Sequence, residues 1–275
     1  MLVTIQSWMY DMTVYIYAIS VLMYFSDFLQ SNRRVNRTAF WLLAIVWILQ
    51  SVFFISQMVS KDYFPVLTLF ETLFFYSWIM VTLSLVINHF FKMDLLIFFT
   101  NILGFIVMAV TIFANPAAAP ALSEQLISEL LFIHISLAML SYVAFSISFI
   151  LSLMYLAQNK LLKEKRWSPL LRKLPSLGLL DLYAYRLTMM GVPLLFLGLI
   201  LGVLWAHVIG QSIWLDPKIF TSILVVVVYC IYLYRRISYD WQGKKLATMN
   251  VVAFVFVLLN FLISGSISSF HQWLR

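Results

Sequence analysis

Apolar residues run along this chain in eight long stretches, at roughly 8–30, 38–59, 65–87, 95–114, 127–157, 187–208, 217–234 and 246–267, parted by short polar segments. A helix needs about 20 such residues to cross a bilayer. Barrel strands would be about ten residues long and would alternate in polarity. These stretches are longer and continuously apolar, so they predict helices, whose backbone groups are satisfied within each segment. The expected fold is an all-α polytopic membrane protein, a single eight-helix transmembrane domain over residues 1–275. The start, MLVTIQSWMYDM, lacks a basic n-region, which predicts a permanent first helix and no cleaved signal.

Composition agrees with the pattern. Of 275 residues, 63% are hydrophobic and 11% charged. Average soluble domains run at about 45–50% and about 25%. So little charge excludes a disordered chain, a nucleic-acid-binding domain and an ordinary soluble enzyme. The single cysteine, Cys230, excludes an intrachain disulfide framework or a cysteine metal cluster. The net charge of +7 gains its meaning from where it sits: 15 of the 18 Lys and Arg fall in alternate loops, around 31–37, 88–94, 158–186 and 235–245. The other face holds only Lys61, Lys218 and Arg275. The positive-inside rule makes the basic face cytoplasmic, and an even number of spans then puts both termini outside. The basic segment 158–186, interleaved with leucines and Trp167, suits a short helix lying on anionic membrane lipid or a surface for a protein partner.

Polar groups inside apolar spans are costly and therefore informative. The four histidines are unevenly placed. His89 is at the inner end of the third span, whereas His134, His207 and His271 belong to the outer side. They read either as an outer-face metal or haem site, since neutral imidazole is a common axial ligand, or as amphipathic residues at a water boundary. Glu71, in the outer half of the third span, is expected to face the bundle, as helix–helix glue or as a hold on a ligand group. Asp27 and Asp94 lie near inner ends, where interfacial solvation accounts for them. Asp216 before Pro217 predicts an N-cap with proline in the first helical position. Few ionisable groups lie within the spans and none is deep, which argues against ion-coupled transport.

DYFPVLTLFETLFFYSW at 62–78, HISLAMLSYVAF at 134–145, YRLTMMGVPLLFLGLILGVLWA at 185–206 running into GQSIWLDPK at 210–218, and SFHQW at 269–273 follow one another over most of residues 60–275. In that order they resemble the cytochrome c assembly family of haem-handling membrane proteins. The resemblance implies His134 and His271 as axial ligands of a non-covalent b-type haem, with Glu71, Trp205, His207, Trp214 and Asp216 around it. It also implies a multi-pass protein of the bacterial cytoplasmic membrane. The family's tryptophan-rich loop is degenerate here: Ile209, Ile213 and Leu215 replace its tryptophans, Ile219 replaces a glutamate, and Tyr234 replaces an intramembrane histidine. A lyase presents haem on that loop, so no enzymatic activity is expected. Eight spans and the degenerate loop resemble a regulatory branch, which implies negative control of haem synthesis through the level of glutamyl-tRNA reductase, reached from the cytoplasmic loops. The alternative is a cytochrome c biogenesis component that moves or presents haem.

Overall fold

The computed structural model describes residues 2–61, 63–91, 93–114, 129–165, 171, 173–208 and 216–266. Among these there are helices and turns and no strand: α1 (Leu2–Gln30), α2 (Arg33–Lys61), α3 (Leu69–Phe91), α4 (Asp94–Val110, prolonged by a 3-10 turn at Thr111–Phe113), α5 (Glu129–Lys163), α6 (Leu177–Val208), α7 (Pro217–Ser238) and α8 (Lys244–Ser266). Eight helices are long and apolar enough to cross a membrane, as the hydrophobic pattern predicts.

Local chemistry sets the helix ends. Ser31 adopts a left-handed conformation (φ 53°) and its N–H closes onto Asp27 O, which ends α1. Asn32 Oδ1 then accepts from Arg34 N and caps α2. Asp216 Oδ1 accepts from Lys218 N at 2.8 Å, with Pro217 in the first turn of α7, so the predicted cap is present. The α7–α8 turn passes through Gly243 at φ 72°, where a Cβ would also lie 2.7 Å from the Tyr155 hydroxyl.

One boundary differs clearly from the pattern. α5 continues to Lys163 and α6 starts at Leu177, so both helices reach into the segment 158–186 that was expected to be a loop. The cause is polar satisfaction. Asp181 on the added turns of α6 pairs with Arg236 at 2.6 Å and accepts from Gly243 N, so a charge that reads as loop is accommodated on a helix. Much of that segment thus belongs to α5 and α6; between them residues 166–170 and 172, where the interfacial helix is expected, lie outside the described residues.

The chain divides into two compact units, Met1–Ala121 and Leu122–Arg275. In the first, α1–α4 contact one another in a closed ring; in the second, α5–α8 do the same, with the α5–α6 pair the most extensive. Buried polar side chains tie both bundles together. In the first unit, Asn101 donates to Ser84 Oγ at 2.6 Å and accepts from Tyr17 OH, while Trp47 and Trp78 donate to Thr82 and Ser51. In the second, Asn250 donates to Ser148 and Ser152, and Asn260 joins Tyr142 to Thr221. Each link crosses between helices where no water would compete for the donor.

Candidate functional site

His134 lies on the second turn of α5, at the end of the second unit away from the basic α7–α8 turn. Its ring occupies the seam with α6. The facing surface of α6 is stripped of side chains at Gly198 and Gly202, a small-xxx-small pair that lets two helices approach closely. A Cβ on Gly202 would lie 2.6 Å from His134 Cε1 and 2.8 Å from Nδ1, closer than any real contact, so the glycine makes the space that the imidazole fills. Gly198 contributes its carbonyl: His134 Nδ1 lies 2.5 Å from Gly198 O. A carbonyl can only accept, so Nδ1 carries the proton. In the neutral ring the free lone pair is then on Nε2. Metal-binding histidines are commonly held this way, with one nitrogen anchored to a carbonyl and the other left to ligate.

Neighbouring residues give this seam a polar and an apolar side. Trp205, one turn beyond Gly202 on the same face of α6, is buried. Lys218, in the first turn of α7, is within electrostatic reach of the His134 ring. Asp216 is buried and spends one carboxylate oxygen on its cap. His207, in the last turn of α6, is exposed. His271 and Trp214 lie outside the described residues.

Glu71 belongs to the first unit and its environment is structural. It is buried, and its carboxylate accepts four hydrogen bonds: Lys61 Nζ at 2.6 Å, Tyr63 OH at 3.2 Å, Leu67 N at 2.8 Å and Thr68 N at 3.0 Å. Thr68 Oγ1 accepts in return from Glu71 N, which completes a capping box at the start of α3. Burial, and then the adjacent carboxylate, raise the Tyr63 phenol well above its usual range, so it remains a proton donor to Glu71. Of the two roles open to Glu71, the geometry supports glue. His89, exposed at the end of α3, lines a different cleft in this unit.

The family model described as cytochrome C assembly protein matches residues 66–271, three-quarters of the chain. The chain belongs to the cytochrome c assembly protein family. Protein HemX of Brevibacillus brevis is 53% identical over 267 residues, covering 97% of this chain and 98% of its own. Protein HemX of Bacillus subtilis is 46% identical over 261 residues, covering 94% and 95%. These relatives place the chain on the HemX branch of the family. Among solved structures, the cytochrome c haem lyase CcmF superposes with a TM-score of 0.63 at 12% identity. That superposition covers 94% of this chain and 49% of CcmF, so the chain spans about half the length of that lyase and shares its fold.

Three features of this HemX-branch bundle went unread in the sequence. Gly198 and Gly202 stand four apart in an apolar helix, and that spacing could have marked a close helix contact. Asn250 and Asn260 are amides in apolar spans and could have been read as interhelical links. Lys218 was visible beside the capping Asp216, but only the fold brings it toward His134.

Proposed function

We propose that this protein binds haem non-covalently on the outer side of the bacterial cytoplasmic membrane and negatively regulates haem synthesis through the level of glutamyl-tRNA reductase. The observation that carries the binding half is the anchored imidazole: Nδ1 committed to Gly198 O, the ring held in the space that Gly202 vacates, and Nε2 left to ligate. Haem would be held there by His134 together with His271, whose neutral imidazoles would ligate its iron. Lys218 offers a cation for a propionate carboxylate, and Trp205 an apolar wall. The basic face is cytoplasmic and both termini are outside. The missing tryptophans of the 209–215 loop argue against lyase activity.

The regulatory half rests on membership of the HemX branch, with the cytoplasmic loops as the surface that reaches the reductase. The family's own description favours a second reading, a component of cytochrome c biogenesis that moves or presents haem. Two measurements decide. Haem added to the detergent-purified protein should give a low-spin bis-imidazole spectrum. A His134→Ala, His271→Ala double variant should lose it, and a spectrum that survives in that variant overturns the ligand assignment. In a deletion strain, raised reductase with normal covalent c-type cytochromes supports regulation. Loss of all c-type haem establishes the second reading instead.

A further inference from the structure

The basic end of the first unit contains a cleft of about 470 Å³ that belongs to none of the chemistry above. Arg33, Asn36 and Arg37 form one wall; they stand three and four residues apart and so share a face of α2. Asn88 and His89, from the last turns of α3, face them, and Asp27 and Asp94 complete the lining. The two carboxylates are already employed. Asp27 accepts from Asn36 Nδ2 at 2.8 Å, and Asp94 opens α4, where its charge suits the helix dipole. The two guanidinium groups are not: Arg33 and Arg37 are exposed and make no ion pair or hydrogen bond with any described residue.

Their position makes this unusual. The N-terminus of a helix is its positive end, and α2 begins with Arg33, Arg34 and Arg37 and no acidic residue in its first turn. Like charges are thus stacked on a like dipole, and a bound anion would relieve both. Close by, Tyr24 is buried within electrostatic reach of both carboxylates, and its hydroxyl has no hydrogen-bond partner among the described residues. This end of the bundle therefore carries hydrogen-bonding capacity that its own side chains leave unused. Guanidinium groups match tetrahedral oxyanions through paired N–H donors, and side-chain amides add neutral donors around them. A cleft of this size accommodates a small ligand or a lipid headgroup.

We propose that this cleft binds a phosphate group, held by Arg33 and Arg37 with Asn36 and Asn88 as supporting donors. The phosphate belongs either to an anionic lipid of the inner leaflet or to a soluble phosphate compound, and the experiment separates these sources. Thermal unfolding of the full-length protein is followed in detergent with added inorganic pyrophosphate, and in nanodiscs of phosphatidylcholine with or without phosphatidylglycerol. A ligand that binds the folded state raises the unfolding midpoint. The test variant is R33Q/R37Q; both side chains are exposed and pair with no described residue, so the fold survives. The control is R34Q, which lies off the cleft and, like R33Q alone, removes one charge from the same turn. Pyrophosphate protection that needs at least about tenfold more ligand in R33Q/R37Q than in wild type and R34Q supports a soluble ligand. Protection given only by phosphatidylglycerol and lost only in R33Q/R37Q supports the lipid. Absence of protection in both arms, or equal loss in R34Q, overturns the proposal.

Discussion

At the scale of single residues, the informative contact is between a glycine and a histidine. The ring of His134 fills the place that a Cβ on Gly202 would take, whereas a Cβ on Gly198 would meet nothing closer than 3.4 Å. The two glycines therefore make opposite predictions although they belong to one motif. Gly202→Ala forces the imidazole to turn, breaks the Nδ1 bond to Gly198 O and lowers haem affinity by about tenfold, the scale of a lost supporting hydrogen bond to a ligating histidine. Gly198→Ala keeps the carbonyl, adds an ordinary contact and leaves the affinity within about twofold. Titration of both variants with haem, read by absorbance, checks the pair; equal losses would show that helix spacing and not ring placement is at work. His134 stood out in the sequence because a histidine in an apolar span is rare. Gly202 did not, because the absence of a side chain has meaning only beside the neighbour that uses the space.

At the scale of elements, polar links do different amounts of work according to how many donors depend on them. Glu71 accepts from two side chains and two backbone N–H groups, so Glu71→Ala strands four donors at the α2–α3 connection. Unsatisfied buried donors cost about 1–3 kcal/mol each, and some of these regain water, so an overall loss of about 2–4 kcal/mol is expected. Chemical unfolding in mixed micelles measures it. If Glu71 is glue, the folded fraction of the variant binds haem with unchanged affinity; a parallel loss of affinity returns Glu71 to the site. Asn250 on α8 should matter less. Interhelical hydrogen bonds in membranes average about 0.6 kcal/mol and reach about 1.7, so Asn250→Leu should cost under about 2 kcal/mol in the same assay. The existence of all eight helices was legible because long apolar runs have few alternatives in a membrane. The start of α6 was not, since Asp181 and Tyr183 read as loop until Arg236 and Gly243 from a later turn are seen to satisfy the aspartate. Likewise Thr68 and Glu71 have capping-box spacing in the sequence, but only the fold shows that the carboxylate and the hydroxyl satisfy each other's backbone N–H groups.

At the scale of the whole molecule, the apolar pattern sets the number of spans and the basic residues predict their direction. α2 is long enough to separate the two faces: 29 residues from Arg33 to Lys61 extend about 43 Å at 1.5 Å per residue. The charge bias therefore becomes a prediction about access. Cys230, the native thiol, is exposed on α7 within a span and is replaced by serine to give a silent background. Single cysteines are then placed at exposed positions: Gln30→Cys and Gln242→Cys beside the basic turns, and Ser60→Cys at the far end of α2. In intact cells a membrane-impermeant maleimide should label Ser60→Cys alone, and permeabilisation should expose the other two. Each span of this size favours crossing by far more than the orientation energy of a few charges, so the helices persist even if the direction is wrong, and the labelling reads direction only. The reverse pattern would move His134 and Lys218 to the cytoplasm. It would leave the family resemblance intact, but it would remove the outer haem site from the proposed function and bring the phosphate cleft of the first unit to the cell exterior, away from both inner-leaflet lipid and soluble phosphate compounds of the cytosol.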